Sequence, residues 1–498
     1  MFKQRASGVL MHISSLPSPY GIGDLGPDAS RFIDFLHASG QSYWQILPVT
    51  PTQGSTGYSP YNCYSAFAGN PMLISPHQLV CRGYLAQSDL VDLPALPHSY
   101  VDFRKAERLK TRLLKKAYKS FSDKKAPEAY TRFCAQHQSW LDDFSLFCVL
   151  AKKLNYSSWS DWPGALRDRQ KKALRDACRR YDQEIDYECF CQFCFYNQYA
   201  DLRTYANQLG ISIIGDLPFY VAYESADVWS HPGLFKLDRS KKPRFISGVP
   251  PDYFSRTGQL WGNPVYNWPK LKKNGYAWFV NRIAHNLGFF DLLRIDHFRA
   301  FSAYWEVPAH HKTAAKGKWI DGPQEPFFRA LYNKIPFAAI FAEDLGHITP
   351  DVKQLIHRFS LSGMHVLQFG FDGEPSTNTH SLYNHKNNGV VYTGTHDNNT
   401  TRGWFDNEIT PDQHTRLRQI TGHRPSSRTV SWDMIRLAML SVSDLAIIPM
   451  QDLLNLDTKA RMNRPATPDG NWKWRMQGRC IHPKLTSRLH ELTDVTGR

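Results

Sequence analysis

The sequence predicts an α/β protein built around a (β/α)₈ barrel. Eight short apolar runs, each ending in polar or turn residues, recur along the chain, and stretches with helical spacing separate several of them. Runs of this length that are apolar throughout are typical of parallel strands buried on both faces. Eight such strands alternating with helices indicate a barrel, and a chain of 498 residues is long enough for a barrel with insertions.

The first two predicted strands lie close together near the N-terminus. They are "SGVLMHISSLP" (7–17) and "SYWQILPVTP" (42–51), and residues 28–40 between them have the apolar spacing of a helix. Helical spacing also precedes the fourth run, at 277–290, and the sixth, at 351–359. The six later runs are 210–220, 289–298, 337–346, 364–373, 388–398 and 444–454.

Two intervals between predicted strands are too long for a single helix. Residues 52–209 are expected to form an inserted, mostly helical subdomain after the second strand. Residues 221–276, rich in Pro, Gly and aromatic residues, are expected to form a second insertion after the third strand, with a loop at 248–264. Neither insertion has a linker of its own, so we predict a single catalytic domain over 1–498.

The chain is strongly basic, with a formal net charge of +15, and this raises the question of nucleic-acid binding. Much of the excess lies in "RKAERLKTRLLKKAYK" (104–119), where leucines at helical spacing alternate with basic residues. We interpret this segment as an amphipathic helix with a solvated basic face and expect no nucleic-acid partner. Tight, salt-sensitive retention on DNA would argue otherwise.

The cysteines and the N-terminus are typical of a cytoplasmic protein. The first 17 residues are too polar for a signal peptide, and no stretch approaches the roughly 20 apolar residues of a membrane span. The nine cysteines are expected to be reduced, and the chain to be a monomer or weak oligomer with no membrane partner. Cys191 and Cys194 form a C-x-x-C, for which zinc binding and redox chemistry are alternatives. Without a second pair, we predict a buried helix there and no metal or cofactor.

Carboxylates follow five of the predicted strands, where barrel enzymes carry their chemistry. They are Asp216, Asp296, Glu343, Asp397 and Asp452. In "LLRIDHF", Arg294 and Asp296 are two residues apart and should share a face. A nearby guanidinium lowers a carboxylate pKa by roughly 1–3 units, which would keep Asp296 ionised as a nucleophile requires. A structural ion pair inside the barrel is the alternative.

The strand ends at "IFAEDLG" and "VVYTGTHDNN" suggest two further roles. An apolar environment would raise the pKa of Glu343, as a proton donor requires, although Glu343 or, better, Asp344 could instead cap the next helix. His396 and Asp397 could bind hydroxyls and stabilise a positive charge, with an Asx turn or a metal site as alternatives. Two carboxylates with opposed pKa requirements on one rim predict a retaining glycosidase-type site.

Long motifs in this order resemble the amylomaltases, the 4-α-glucanotransferases of glycoside hydrolase family 77. They are "GDLPFYVAYESADVWSHPGLF", "LLRIDHFRAF", "FAEDLG", "THDNNTTRGW" and "RMNRPATPDGNWKWR", and the likeness covers nearly the whole chain. The resemblance implies transfer of α-1,4-glucan segments, with maltooligosaccharides, glycogen or starch-derived dextrins as partners. It implies that Asp296 is the nucleophile, Glu343 the acid/base and Asp397 the transition-state stabiliser.

The same resemblance implies the substrate-binding residues, which are Tyr61, Asp216, Gln259, Trp261, Arg294, His396 and Asn463.

An α-amylase-like hydrolase remains the alternative, but amylases usually carry an Asn-His pair downstream of the third strand, and none follows Asp216. A lid carrying Tyr253, Phe254, Leu260 and Trp261 would also favour transfer over hydrolysis, because it would exclude water.

Arg256, His231 and Arg464 depart from the family pattern in regions expected to contact glucan. A non-catalytic glucan-binding protein would be expected to lack one of the three carboxylates, and all are present.

Overall fold

A computed structural model describes residues 4–251, 256–467 and 469–498. The strands are β1 (Ala6–Leu10), β2 (Tyr43–Gln45), β3 (Ser212–Leu217), β4 (Phe245–Val249), β5 (Gln259–Pro264), β6 (Leu292–Ile295), β7 (Ala303–Pro308), β8 (Lys318–Asp321), β9 (Ile340–Ala342), β10 (Gly363–Val366), β11 (Gly389–Tyr392) and β12 (Leu445–Pro449). The α-helices are α1 (Pro27–Ala38), α2 (Pro76–Cys81), α3 (Phe103–Ser122), α4 (Glu128–Leu154), α5 (Gly164–Arg167), α6 (Lys171–Arg180), α7 (Asp182–Gln208), α8 (Ala226–Ser230), α9 (Trp268–Lys273), α10 (Ala277–Phe289), α11 (Gln324–Lys334), α12 (Pro350–Arg358), α13 (Thr401–Asn407), α14 (Pro411–Thr421), α15 (Val430–Leu440), α16 (Met450–Leu453) and α17 (Pro483–Val495).

Eight parallel strands form a nearly closed barrel. Their order is β10-β11-β12-β1-β2-β3-β6-β9, so strands adjacent in this sheet follow the order of the eight predicted runs. The two ends of the sheet, β9 and β10, meet through a 2.9 Å backbone hydrogen bond from Ala342 N to the carbonyl of Ser362. Each predicted run supplies one strand, and the predicted fold class is confirmed.

The strands of the barrel are buried on both faces, as their composition predicts. On β6, Leu292 faces the barrel interior, whereas Leu293 and Ile295 belong to the larger core between the barrel and its helices. Because side chains alternate along a strand, Arg294 shares the inner side with Leu292. The strand therefore directs the guanidinium of Arg294 into the mouth of the barrel.

The helices between β2 and β3 pack onto the barrel through one continuous core. Phe144 of α4 and Phe190 of α7 belong to the same buried cluster as Ile213 and Ile295 of the barrel. Helix α7 also leads directly into β3. We propose on this basis that 52–209 and 221–276 are insertions within a single catalytic domain.

Helix α7 contains the C-x-x-C motif. Cys191 and Cys194 are each 1% exposed within the hydrophobic core, which confirms the prediction of a buried helix. Among the described residues, no group of three or more His, Cys, Asp or Glu side chains is arranged to bind a metal ion. The described helices include none that combines the length and apolar character needed to cross a membrane.

The basic helix α3 is amphipathic, but one of its lysines faces inwards. The Lys110 Nζ donates to Asp24 Oδ2 at 2.6 Å and to the carbonyl of Ile74 at 2.8 Å, and both side chains of the ion pair are buried. The expectation that the basic residues of this helix are solvated is therefore wrong for Lys110. Its partner lies 86 residues earlier in the chain, so the helical periodicity could not reveal the pair.

A small antiparallel sheet of order β5-β4-β7-β8 lies beside the barrel. Strands β4 and β5 come from the second insertion, and β7 and β8 form a hairpin that follows β6. The sequence does not predict this hairpin, because β8 ("KWID") is largely exposed and gives no apolar run. The small sheet carries Gln259 and Trp261 of the predicted lid.

Candidate active site

The charged residues of "LLRIDHF" meet Asp216 at the barrel mouth. Strands β3 and β6 are neighbours, and their register places Asp216 beside Arg294. The Arg294 Nη1 donates to both carboxylate oxygens of Asp216, at 2.8 and 2.7 Å, and to Asp296 Oδ1 at 3.0 Å. Asp216 is buried, whereas the side chain of Asp296 is 27% exposed. Of these two carboxylates, Asp296 is therefore the one that a substrate can reach.

The pKa of Asp296 is governed by opposing influences. Burial raises this pKa well above its ordinary value, and Arg294 lowers it. The neighbouring carboxylates of Asp216, Glu343 and Asp397 raise it further. The expectation of a low pKa for Asp296, which rests on Arg294 alone, is wrong. Arg294 is shared between two carboxylates, and its charge is not reserved for Asp296.

Glu343 follows β9, the neighbour of β6 in the barrel. Its Oε2 accepts a hydrogen bond from the peptide N–H of His297 at 2.7 Å, and its Oε1 accepts one from Leu345 N at 2.8 Å. Burial raises the pKa of Glu343, while Arg294 and the two peptide N–H groups lower it, with a net upward shift. The predicted direction of this shift is confirmed.

Neither acidic residue of "AEDLG" caps a helix. Helix α12 begins at Pro350, after Thr349, well beyond both residues. Asp344 Oδ1 instead accepts a 2.7 Å hydrogen bond from Met364 N, which ties the end of β9 to β10. Burial raises the pKa of Asp344 to about 6. The suggestion that Asp344 caps a helix was therefore wrong.

His297 is a contributor to the site that the sequence did not reveal. Its φ of 49° lies in the left-handed region, and this turn directs its peptide N–H towards Glu343. Burial lowers the pKa of its imidazole to about 3, and its Nε2 is buried with no hydrogen-bond partner among the described residues. A peptide N–H has no signature in a sequence, and the only signal was the position directly after Asp296.

His396 and Asp397 occupy the opposite side of the mouth. The ring of His396 stacks on Tyr61 at a centroid distance of 5.1 Å, and Tyr61 Oη donates to Asp216 Oδ2 at 2.8 Å. The carboxylate of Asp397 accepts from Asn463 Nδ2 at 2.6 Å and lies 3.4 Å from His396 Nε2. Burial lowers the pKa of His396, which favours the neutral ring. These contacts link Tyr61 to Asp216, and His396 and Asn463 to Asp397.

The turn that carries Asp397 is stabilised by a different residue. Asn398 Oδ1 accepts from Thr395 N and from Thr395 Oγ1, both at 2.9 Å. The side chain of Asp397 is 44% exposed, and its carboxylate points to Asn463 instead of closing the turn. The arrangement leaves one edge of the Asp397 carboxylate open to a ligand.

The predicted lid meets the site through Trp261. Its ring lies edge-on to His297, with centroids 4.7 Å apart, and its Nε1 donates to Gln259 Oε1 at 3.4 Å. Leu260 lies between these two residues on β5 and packs against the small core of the antiparallel sheet. Tyr253 and Phe254 of the predicted lid lie outside the described residues.

Asp452 does not join the other carboxylates. It lies on α16, where Oδ2 accepts from the hydroxyls of Thr393 and Thr401 at 2.5 and 2.7 Å, and Oδ1 accepts from Thr401 N at 2.7 Å. The residue is 1% exposed. Its hydrogen bonds connect the end of β11 to the start of α13, so Asp452 stabilises the fold in this region.

The three departures from the family pattern are dispersed. Arg256 and Arg464 are both exposed, and the backbone N–H of Arg464 donates to Asn471 Oδ1 at 2.9 Å. His231 instead lines a separate cavity of about 350 Å³, beside Trp140 and Trp278. The lining of this cavity includes none of the ten predicted site residues. The expectation that His231 lies in a glucan-contact region therefore gains no support from its position.

Comparisons with known proteins agree on one family. The sequence profile described as 4-alpha-glucanotransferase matches residues 11–482. The chain is 44% identical over 476 residues to a 4-alpha-glucanotransferase of Aquifex aeolicus, covering 95% of this chain and 96% of the relative. It is 42% identical over 502 residues to that of Thermus thermophilus, covering 99% of each. The structure superimposes with a TM-score of 0.96 on an amylomaltase from Streptococcus agalactiae in complex with acarbose, at 37% identity and with 99% of this chain and 100% of that one covered.

Proposed function

This chain belongs to the 4-alpha-glucanotransferase family, glycoside hydrolase family 77, and from that membership we propose that it transfers segments of α-1,4-glucan to the 4-hydroxyl of an acceptor sugar. The observation that carries the proposal is that two carboxylates follow neighbouring strands and that the peptide N–H beside the first binds the second. Asp296 follows β6, Glu343 follows β9, and the peptide N–H of His297 next to Asp296 holds Glu343 at 2.7 Å. This geometry supports the roles that we propose for Asp296 as nucleophile and Glu343 as proton donor on one rim.

The first half of the reaction forms a covalent intermediate. The carboxylate of Asp296 attacks the anomeric carbon of the donor, and the bond from that carbon to the glycosidic oxygen breaks. The proton of the Glu343 carboxyl passes to the departing oxygen, which leaves as a shortened glucan with a free 4-hydroxyl. Asp296 then carries a glycosyl ester, and Glu343 is a carboxylate.

The second half of the reaction restores the enzyme. The 4-hydroxyl of an acceptor gives its proton to Glu343 and attacks the same carbon, and the ester bond to Asp296 breaks. Two inversions give net retention. Asp397 stabilises the oxocarbenium-like transition states, since Asn463 holds one of its carboxylate oxygens at the mouth and leaves the other edge open.

These protonation states require an ionised Asp296, although burial raises its pKa well above the ordinary value, and a protonated Glu343, whose pKa burial also raises. Arg294, a full positive charge, lies 3.0 Å from Asp296, whereas Glu343 receives two neutral peptide N–H groups. We assign the negative charge to Asp296 and the proton to Glu343, because the charged donor stabilises a carboxylate more strongly.

The substrates, the cellular compartment and the oligomeric state are part of the same proposal. We propose maltooligosaccharides, glycogen or starch-derived dextrins as substrates, and a cytoplasmic monomer or weak oligomer as the working form. We propose that its nine cysteines are reduced.

Incubation with maltotriose distinguishes transfer from the alternative of hydrolysis. We expect a ladder of longer glucans together with glucose, resolved by chromatography of the products. Net gain of reducing ends is expected to be small, because each bond broken is replaced by another. Products limited to glucose and maltose would show an amylase-like hydrolase and contradict the proposal.

Replacement of Trp261 by Ala is expected to reduce transfer more than hydrolysis. Both reactions use the same intermediate, and a Trp face that holds the acceptor sugar contributes about 1–2 kcal/mol. Its loss would lower acceptor occupancy roughly tenfold and admit water. The measurement is the ratio of new reducing ends to glucosyl units transferred.

Trp319→Ala provides a matched control for that experiment. Trp319 also lies on the small sheet, but it is 39% exposed and packs on Arg299 and Trp305. The control should leave the ratio unchanged. If Trp261 merely packs the loop on the barrel, both reactions will fall together in Trp261→Ala and the ratio will also stay constant, which would contradict a water-excluding role.

A further inference from the structure

Arg461 contacts the backbone of Asp397 and the backbone of Asn463, whose side chain binds the Asp397 carboxylate. Its Nη2 donates to the carbonyl of Asp397 at 2.7 Å, and its Nε donates to the carbonyl of Asn463 at 2.8 Å. The side chain is 17% exposed. One guanidinium therefore binds two loops that come from positions more than 60 residues apart in the chain.

The two residues that Arg461 binds are also bonded to each other. Asn463 Nδ2 donates to Asp397 Oδ1 at 2.6 Å, and Asn463 N donates to the carbonyl of His396 at 3.1 Å. The direction of the Asp397 carboxylate therefore depends on where the backbone of Asn463 lies. Arg461 fixes that backbone relative to the backbone of Asp397.

Arg461 is itself oriented by groups outside the site. Its Nη1 lies 3.4 Å from Glu408 Oε1, which also accepts from Asn399 Nδ2 at 2.7 Å. The carbonyl of Asn399 accepts from Gln368 Nε2 at 2.9 Å. This chain of contacts anchors the guanidinium to the end of α13 and to the turn that follows β11.

We propose that Arg461 is a positioning residue for the transition-state stabiliser, and this inference rests on the role proposed above for Asp397. The planar guanidinium presents Nε and Nη2 along one edge, which allows it to serve two carbonyls at once. A lysine ammonium keeps the charge but cannot reproduce that fork. Arg461 touches neither the nucleophile nor the acid, and it acts through Asp397 and Asn463.

The test compares Arg461→Lys and Arg461→Gln with Arg479→Gln. Arg479 lies further along the C-terminal segment, is exposed, and its side chain makes no hydrogen bond or ion pair among the described residues. Misplacement of a reacting group by about 1 Å costs roughly 100-fold in rate. We therefore expect kcat for maltotriose disproportionation to fall by about that factor in both Arg461 variants, with KM little changed, and to stay at the parental value in Arg479→Gln.

A second measurement separates positioning from stability. In Arg461→Ala, millimolar guanidinium chloride is expected to restore part of kcat, whereas tetramethylammonium chloride of equal ionic strength is not. Rates are expressed per folded molecule, from the thermal unfolding curve of each variant. A lowered unfolding temperature with kcat per folded molecule unchanged would overturn the inference.

Asp397→Asn distinguishes failure of this inference from failure of the proposed function. If Asp397→Asn is inactive while Arg461→Lys keeps parental kcat, Arg461 does not position Asp397 and the proposed function stands. If Asp397→Asn itself keeps parental kcat, the proposed role of Asp397 is wrong, and the inference about Arg461 falls with it.

Discussion

Asp296→Asn is expected to abolish glucan transfer, with a loss of several powers of ten in kcat and an intact fold. An amide cannot form the glycosyl ester, so the first half of the reaction has no nucleophile. The amide oxygen of asparagine can still accept the 3.0 Å hydrogen bond from Arg294, and the Arg294–Asp216 pair beneath it is unchanged. Initial rates of glucose release from maltotriose, normalised to folded protein, measure the effect.

Asp344→Asn is the matched control for that result. Asp344 is another acidic residue at the same rim, directly after Glu343, but its Oδ1 accepts a structural hydrogen bond from Met364 N. An asparagine carbonyl can accept the same bond, so activity should remain within a few-fold of the parent. Near-parental activity in a purified, folded Asp296→Asn variant would remove Asp296 from the proposed role.

Much of the fold could be predicted because it follows from local patterns. The run 444–454 contains β12, Leu445–Pro449, which is buried throughout, and continuous apolar runs of this length are typical of parallel strands covered on both faces. The inward direction of Arg294 also followed from the two-residue period of a strand. The small sheet gave no such signal, because β8 is exposed and gains its stability from pairing with β7.

The acidic residues of the site were visible in the sequence, but the groups that hold them were not. Strand ends placed Asp296, Glu343 and Asp397 on one rim, since the C-terminal ends of parallel strands meet there. The peptide N–H of His297 and the bonds of Arg461 to two carbonyls depend on backbone positions set by long-range packing. The upward shift of the Asp296 pKa could not be predicted for a related reason. Burial and three other carboxylates act on it through space, while the sequence displays only the adjacent arginine.

Glu343→Gln is expected to lose nearly all activity on glucans but to retain the ability to form the intermediate from an activated donor. A sugar alkoxide is a poor leaving group without a proton, and an amide has none to give. Fluoride departs without protonation, so an α-glucosyl fluoride should still load Asp296. Because the same variant also lacks the base that activates the acceptor, the ester should accumulate. Intact mass and peptide mapping then locate a glucosyl adduct on Asp296.

The geometry around Glu343 sets the controls for this experiment. His297 N and Leu345 N each donate to a different carboxylate oxygen, so the amide NH₂ of glutamine leaves one of these peptide donors without an acceptor. Thermal unfolding should therefore be measured, since an unmade buried hydrogen bond costs about 1–3 kcal/mol. The double variant Asp296→Asn with Glu343→Gln should give no adduct with the fluoride. An adduct on another residue, or none in a folded Glu343→Gln enzyme, would contradict the assignment, because a competent nucleophile needs no acid when the leaving group is already activated.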